Sequence, residues 1–528
     1  MRRRRAWISG LGLTLGVCAW LAIHLATPAM AGDGRIASGH DPAKAGLAPG
    51  TTRNPADQAG RPGESPAAAS GWNPHPIHLV RPPVEPLSAM ALLGRQIFFD
   101  RSLSASGKLA CASCHSPQHF YGPPNAAPAM IGGPAMASQG VRAVPSLMYL
   151  ERQPNFSIGP DNEENENVSL MQMATLGEAA TRTQKTAHDT AQTAANMVPQ
   201  GGLFWDGRAD TLQQQALVPM LNPLEMDGGS VKAVAARLHQ APYAGQMRQL
   251  FGPSIFADPQ MAVAEALFSV ARYQIEDSKF HPYTSKFDYW LEGKARFTPD
   301  ELRGYQLFND PNKANCGGCH LDQPTADGRP PLFTDHQFEA LAAPRNPALA
   351  ATRDPSYFDL GICGPYRTDM QDQTQYCGMF LTPTLRNVAT RHVFFHNGVF
   401  RSLQQVLDFY DFRDTEPQRV YPHGANGAVE KYDDIPRKYW ANVDVADPPF
   451  NRKLGETPAM TPADEADIIA FLRTLTDGYR PGRQVAALRT RHDVPRSGNA
   501  IPVSACQTRM TNASSLAPSP CAAAARNN

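Results

Sequence analysis

The pattern Cys-x-x-Cys-His occurs twice in the 528 residues, as Cys111-Ala112-Ser113-Cys114-His115 and as Cys316-Gly317-Gly318-Cys319-His320. It constrains the chain more than any other feature. Two thiols three positions apart sit on one helical turn, where they can add across the two vinyl groups of a haem, and the adjoining histidine can swing under the porphyrin to ligate its iron. A redox dithiol or a zinc knuckle needs no histidine directly after the second cysteine. The spacing therefore predicts two covalently bound haem c groups, one held by Cys111, Cys114 and His115, the other by Cys316, Cys319 and His320. With the motifs about 205 residues apart, the economical architecture is mainly α: two cytochrome c-like haem domains packed together with long loops.

The first 31 residues carry the signs of export. Arg2 to Arg5 form a basic start, Trp7 to Ala26 an apolar run, and Ala29-Met30-Ala31 a small-residue cleavage site. An uncleaved anchor is the competing reading, since the run approaches spanning length, but His24, Pro28 and the cleavage pattern favour a signal cut near Ala31. No later stretch is long and apolar enough to span a bilayer. Covalent haem attachment takes place outside the cytoplasm, so the motifs independently point to the periplasm. Basic and acidic side chains number 49 each, and removing the four leader arginines leaves 45 against 49, a net charge of −4. That excludes a nucleic-acid binder held by bulk charge. Cys18 leaves with the leader, and outside the haem motifs Cys363, Cys377, Cys506 and Cys521 remain. An even number in an oxidising compartment suggests disulfides, with the local pairs 363 with 377 and 506 with 521 preferred among three pairings.

Residues 32–75 are rich in Gly, Pro, Ala and Ser without apolar periodicity and read as a flexible tether. Helical spacing is expected over Leu87–Phe99, Val231–Leu250, Pro259–Ile275, Pro299–Phe308, Leu403–Phe412 and Pro462–Leu475, whereas strand alternation is scarce. These patterns assign an N-terminal haem domain to residues 76–285, interrupted by a polar insertion at 150–200, a C-terminal haem domain to 286–480, and an irregular tail to 481–528.

Beside the two haem motifs stand Phe204-Trp205-Asp206-Gly207-Arg208-Ala209, Gln215-Ala216, Asn222-Pro223-Leu224-Glu225-Met226, Thr382-Pro383-Thr384-Leu385-Arg386-Asn387-Val388 and Phe395-His396-Asn397-Gly398. In this combination, from about Pro86 to Leu475, the chain resembles the bacterial dihaem cytochrome c peroxidase and MauG family. The resemblance implies a peroxidase-type enzyme in which the N-terminal haem meets hydrogen peroxide and the C-terminal haem handles electrons. Trp205 matches the tryptophan between the haems, and Gln215, Pro219 and Glu225 match the distal pocket of the peroxidatic haem. The chemistry agrees, because cleaving the O–O bond requires a proton to move from the inner to the outer oxygen, a task for a carboxyl group such as Glu225, with Gln215 orienting the ligand. The alternative for Glu225 is a capping role in the turn after Asn222-Pro223, and for Trp205 simple core packing.

The family divides at two positions. Conventional members often place a distal histidine in the loop after the first haem motif, which must leave on reductive activation. Here the loop to Arg142 holds only His119, four residues beyond the ligand, so an open sixth position is expected, with His188 as the competing ligand. At the second haem the conventional ligand is a methionine fourteen residues beyond the position of His396, and that count reaches Tyr410. MauG-like enzymes use tyrosine here, and a phenolate stabilises ferric and higher iron where a thioether does the opposite. Met379 and His396 are the other candidates. Where the family supplies an Asn side chain to a calcium between the haems this chain has Ala143, so the residues decide neither for nor against calcium.

The reading that follows is a periplasmic dihaem oxidoreductase that uses hydrogen peroxide and oxidises an electron-donor protein or another partner protein, in the manner of MauG. A conventional peroxidase fed by a small cytochrome and a non-catalytic electron-transfer cytochrome are the alternatives.

Overall fold

A computed structural model describes residues 71–160 and 197–482. The export segment, nearly all of the tether, His188 with most of the polar insertion, and Cys506 and Cys521 lie outside the described residues.

Helix α1 (Ala89–Phe98) begins where Ser88 accepts the amide of Ala91 and buries Leu93, Ile97 and Phe98. The turn α2 (Cys111–Cys114) carries the first thiol pair. Then follow α3 (Leu212–Leu221), α4 (Val231–Gln240), α5 (Ala244–Phe251) and α6 (Pro259–Glu276), the last opened by Asp258 and by proline at its first position. Helices α7 (Lys286–Leu291) and α8 (Pro299–Phe308) lead to the second thiol pair on α9 (Cys316–Cys319), and α10 (Leu403–Phe412) and α11 (Pro462–Arg473) complete the set. Capping boxes at Thr298 with Glu301 and at Thr461 with Asp464 explain why α8 and α11 start where the sequence says they should.

One expected helix divides. Val231–Leu250 is two helices, because Pro242 has no amide to donate and forces Ala241 into an extended conformation at ψ 151°. Strands are few: β1 (Ile131–Gly132) pairs with β2 (Ser138–Gln139), β3 (Ser157–Pro160) with β4 (Met197–Gln200), and β5 (Phe338–Glu339) with β6 (Phe380–Leu381), all antiparallel. The β3–β4 pair closes the neck of the polar insertion. The fold is mostly helical with small sheets. Among the described residues no helix is long and apolar enough to cross a membrane.

Two apolar cores form, the first mostly from residues before 285 and the second mostly from residues after it, although Leu332 joins the first and Leu79 the second. The first gathers Leu93, Phe98, Tyr121, Val234, Leu267 and Phe280, the second Phe287, Trp290, Phe308, Phe333, Ile468 and Phe471. Each fully buried ring contributes about 1.5–3 kcal/mol on leaving water. The two cores share a plan. In the first, α1 crosses α6 at Gly94, where a Cβ would lie 1.8 Å from the Ser269 carbonyl; in the second, α8 crosses α11 at Gly304, where a Cβ would lie 1.9 Å from that of Asp467. Only a residue without a side chain permits either crossing. Cys363 and Cys377 form the expected disulfide, within a third apolar cluster that includes Phe338 and Ile362.

Candidate active site

The thiols of Cys111, Cys114, Cys316 and Cys319 are free of disulfides, and each pair sits on a single turn as covalent attachment requires. The histidine after each pair is held by the same device. His115 Nδ1 lies 3.1 Å from the carbonyl of Tyr121, and His320 Nδ1 lies 2.9 Å from that of Phe333. Both carbonyls also accept a backbone amide, from Leu147 and Leu385 respectively. Both belong to residues with positive φ, 51° at Tyr121 and 57° at Phe333. The segments that return to them, Pro145-Ser146-Leu147 and Pro383-Thr384-Leu385, are counterparts, with Ser146 donating to Phe120 and Thr384 to Leu332. Committing Nδ1 to a carbonyl leaves Nε2 as the ligating atom. Burial also lowers both imidazoles to about 4, so the lone pair stays free of protons. The donor set fits two haem c groups.

A large cavity opens on the second pair. Its wall includes Cys316, Cys319, His320, Tyr410, His396 and Trp205. Helix α10 brings Tyr410 there from its partly buried face, and its ring stacks on Phe450 at 5.2 Å. His396 lines the same cavity with its ring flat against Phe380, 3.6 Å between centroids, and its Nε2 makes no hydrogen bond. Met379 packs instead in the disulfide cluster.

Gln215 is buried on α3 and lines the same cavity as His320. Pro219, one turn on, has no amide to give the Gln215 carbonyl. The chain then reverses at Asn222, whose Oδ1 accepts the amide of Leu224 and whose Nδ2 donates to Glu225 Oε1 at 2.7 Å. Glu225 therefore does belong to a turn, and that turn fixes its carboxyl. Burial pushes the carboxyl above its ordinary range, opposed by the charge of Arg208 and the bond from Asn222. Burial, then the charge of Glu225, raises the Cys114 thiol to about 12, which brings Glu225 within electrostatic reach of the first attachment site. His119 is held aside, its Nδ1 3.0 Å from Ser116 Oγ.

Trp205 ties separate segments of the chain together. Its indole N–H donates to the Ala143 carbonyl at 2.8 Å, its own carbonyl accepts the amide of Leu381, and Ala143 donates to the His396 carbonyl. Asp206 beside it is paired with Arg142 at 2.7 Å and with Arg208 at 2.7 Å, while Arg142 also grips Asp359 at 2.6 Å. No local sequence signal marks Arg142 or Asp359 for this role. Asp206 and Arg208 stood inside a quoted motif, but nothing local identified their partners.

These features define a dihaem c-type cytochrome with a carboxylate beside one attachment site. The family model for di-haem cytochrome c peroxidase matches residues 88–296. The methylamine utilization protein MauG of Paracoccus denitrificans is 31% identical over 403 residues, covering 74% of this chain and 90% of that protein. The cytochrome c551 peroxidase of Nitrosomonas europaea is 26% identical over 342 residues, covering 62% and 76%. The crystal structure of the diheme peroxidase BthA from Burkholderia thailandensis superposes with a TM-score of 0.63 at 35% identity, covering 75% of this chain and 88% of that one. The chain belongs to the di-haem cytochrome c peroxidase and MauG family, and with it to the peroxidase-type oxidoreductases that carry two c-type haems.

Proposed function

We propose that this protein is a periplasmic, MauG-like enzyme that cleaves hydrogen peroxide beside Cys111, Cys114 and His115 and draws the required electrons from a donor or partner protein by way of the second haem site. In this reading residues 76–285 and 286–480 are the two haem domains. A haem in each site supplies iron that binds and exchanges electrons. The chain's own residues supply the rest. Glu225 takes the proton from the inner peroxide oxygen and returns it to the outer one, and its raised affinity for protons suits the return of that proton. Asn222 aims the carboxyl, the charge of Arg208 opposes the effect of burial on it, and Gln215 orients the substrate. Trp205, bonded to Ala143 and Leu381 and lining the cavity around His320, offers the intermediate station between the two sites.

The observation that carries the reading is Tyr410 in the wall around His320, where a conventional peroxidase has methionine. A phenolate there favours oxidised iron and suits a site that stores oxidising equivalents rather than one that accepts electrons from a small cytochrome. The test is to add peroxide to the fully oxidised protein. Immediate reaction supports the MauG-like reading, reaction only after one-electron reduction supports the conventional peroxidase, and no reaction in either state leaves an electron carrier.

A further inference from the structure

Among the described residues, several enclosed guanidinium groups are paired with carboxylates. Arg142 meets Asp206 and Asp359, Arg386 meets Asp288, and Arg413 meets Asp414, all within 2.7 Å. Arg391 has no carboxylate partner among the described residues. It follows the short turn Val388–Thr390 in the second core and reaches toward the first, with Nη2 donating to the Val144 carbonyl at 3.0 Å and Nε to that of Val393 at 3.3 Å. Nη1 lies beside the loop after the first haem motif, 3.6 Å from where a Cβ on Gly122 would be. The side chain lines the same cavity as His320, and its charge also reaches His115. Two carbonyls do not neutralise a cation, and burial without an anion lowers this guanidinium to about 10.

A site that takes up haem acquires carboxylates that the polypeptide lacks, since each haem carries two propionates. We propose that Arg391 is the counter-charge for a propionate of the haem attached to Cys111 and Cys114, a carboxylate-binding residue lent by the second core to the first haem. The contacts with Val144 and the approach to Gly122 and His115 favour the first haem over the second. Fork geometry suits the task, because a guanidinium can give a carboxylate two parallel N–H bonds while its remaining donors hold the Val144 and Val393 carbonyls. The inference rests on haem attachment alone, and it holds whichever haem meets peroxide.

Potentiometric titration of the full-length holoprotein, with the two haems resolved by their spectra, tests it independently of peroxide chemistry. In Arg391→Gln at pH 8 the propionate charge is no longer offset, which favours the ferric state. The first haem should lose its preference for the reduced form by about tenfold, 59 mV for a one-electron couple, while the second moves less. Arg391→Lys, which keeps the charge but not the fork, should hold the potential near that of the parent and shift the propionate-bending Raman band of the first haem. Should Arg391→Gln fail to take up haem, the Lys variant decides by that band. Unmoved potentials, equal movement of both haems, or an unchanged propionate band in the Lys variant would each overturn the assignment and leave Arg391 as a clamp on two loops.

Discussion

The indole N–H of Trp205 donates to the carbonyl of Ala143 at 2.8 Å, and the same Ala143 gives its amide to the carbonyl of His396. One short path of bonds thus links Trp205, Ala143 and His396, and both Trp205 and His396 line the cavity around His320. Trp205→Phe keeps an aromatic filler, removes that donor and is harder to oxidise. Both haem spectra should stay intact while oxidation at the second haem after rapid mixing with peroxide slows by at least tenfold. Equal rates in the two proteins would make Trp205 a packing residue.

Glu225→Gln should slow peroxide cleavage by roughly 10² to 10⁴, the range for a lost general acid-base, with ferric spectra unchanged. The pH profile carries a second signature. Because burial raises the Glu225 carboxyl, the parent should lose activity on the acid side at a pH above the ordinary carboxylate range, as the base becomes protonated. The Gln variant should lack that limb. Asn222→Ala, which releases Oε1, should move the limb and slow cleavage less than the Gln variant does. Stopped-flow rates across pH 4 to 9 measure all three.

Much of this was legible from short-range signals. Helices α8 and α10 have the expected bounds because their starts are written in adjacent residues, Thr298-Pro299 with Glu301 and Ser402 with Gln405. Cys363 and Cys377 are near enough in sequence for proximity to choose the pair. What was not legible depends on tertiary approach. The Val231–Leu250 periodicity concealed a break because a hydrophobic repeat carries no penalty for Pro242, whereas a hydrogen-bonded backbone does. The anchoring of His115 and His320 uses carbonyls whose second partners lie 26 and 52 residues away, at Leu147 and Leu385, and only the recurrence of Pro-Ser/Thr-Leu hinted at it. Arg142 meets Asp359 across 217 residues, and no local pattern encodes such a pairing.

The second core has its own buried charge pair. Arg386 and Asp288 meet at 2.7 Å with both side chains fully withdrawn from water, and Arg386 also holds the Pro331 carbonyl close to the loop that anchors His320. Removing either partner strands the other, so Arg386→Ala or Asp288→Ala should cost about 3–5 kcal/mol in denaturant unfolding of the holoprotein. Burial alone would raise the Asp288 carboxyl, but the charge and bonds of Arg386 hold it below its ordinary value. Its contribution is therefore complete above the ordinary carboxylate pKa and is lost as pH falls through the depressed value. Acid unfolding of the parent should start at lower pH than that of Arg386→Gln.

Denatured protein should retain two haems, because each is tied by thioethers rather than by coordination alone. Intact mass after acid unfolding should show the polypeptide plus two haems, and the double substitution Cys111→Ala with Cys114→Ala should remove one.

In the proposed function the two haem sites differ, with the first open to peroxide and the second closed by Tyr410. Low-temperature electron paramagnetic resonance of the fully oxidised protein, before and after peroxide, tests this most directly. One high-spin signal from the first haem should be present and should disappear on adding peroxide without prior reduction. One low-spin signal should accompany it and should change in Tyr410→Met and Tyr410→His while both haems stay attached. Two low-spin signals that ignore peroxide until an electron is added, or a low-spin signal indifferent to substitution of Tyr410, would contradict the account and direct attention to His188 at the first haem and to His396 at the second.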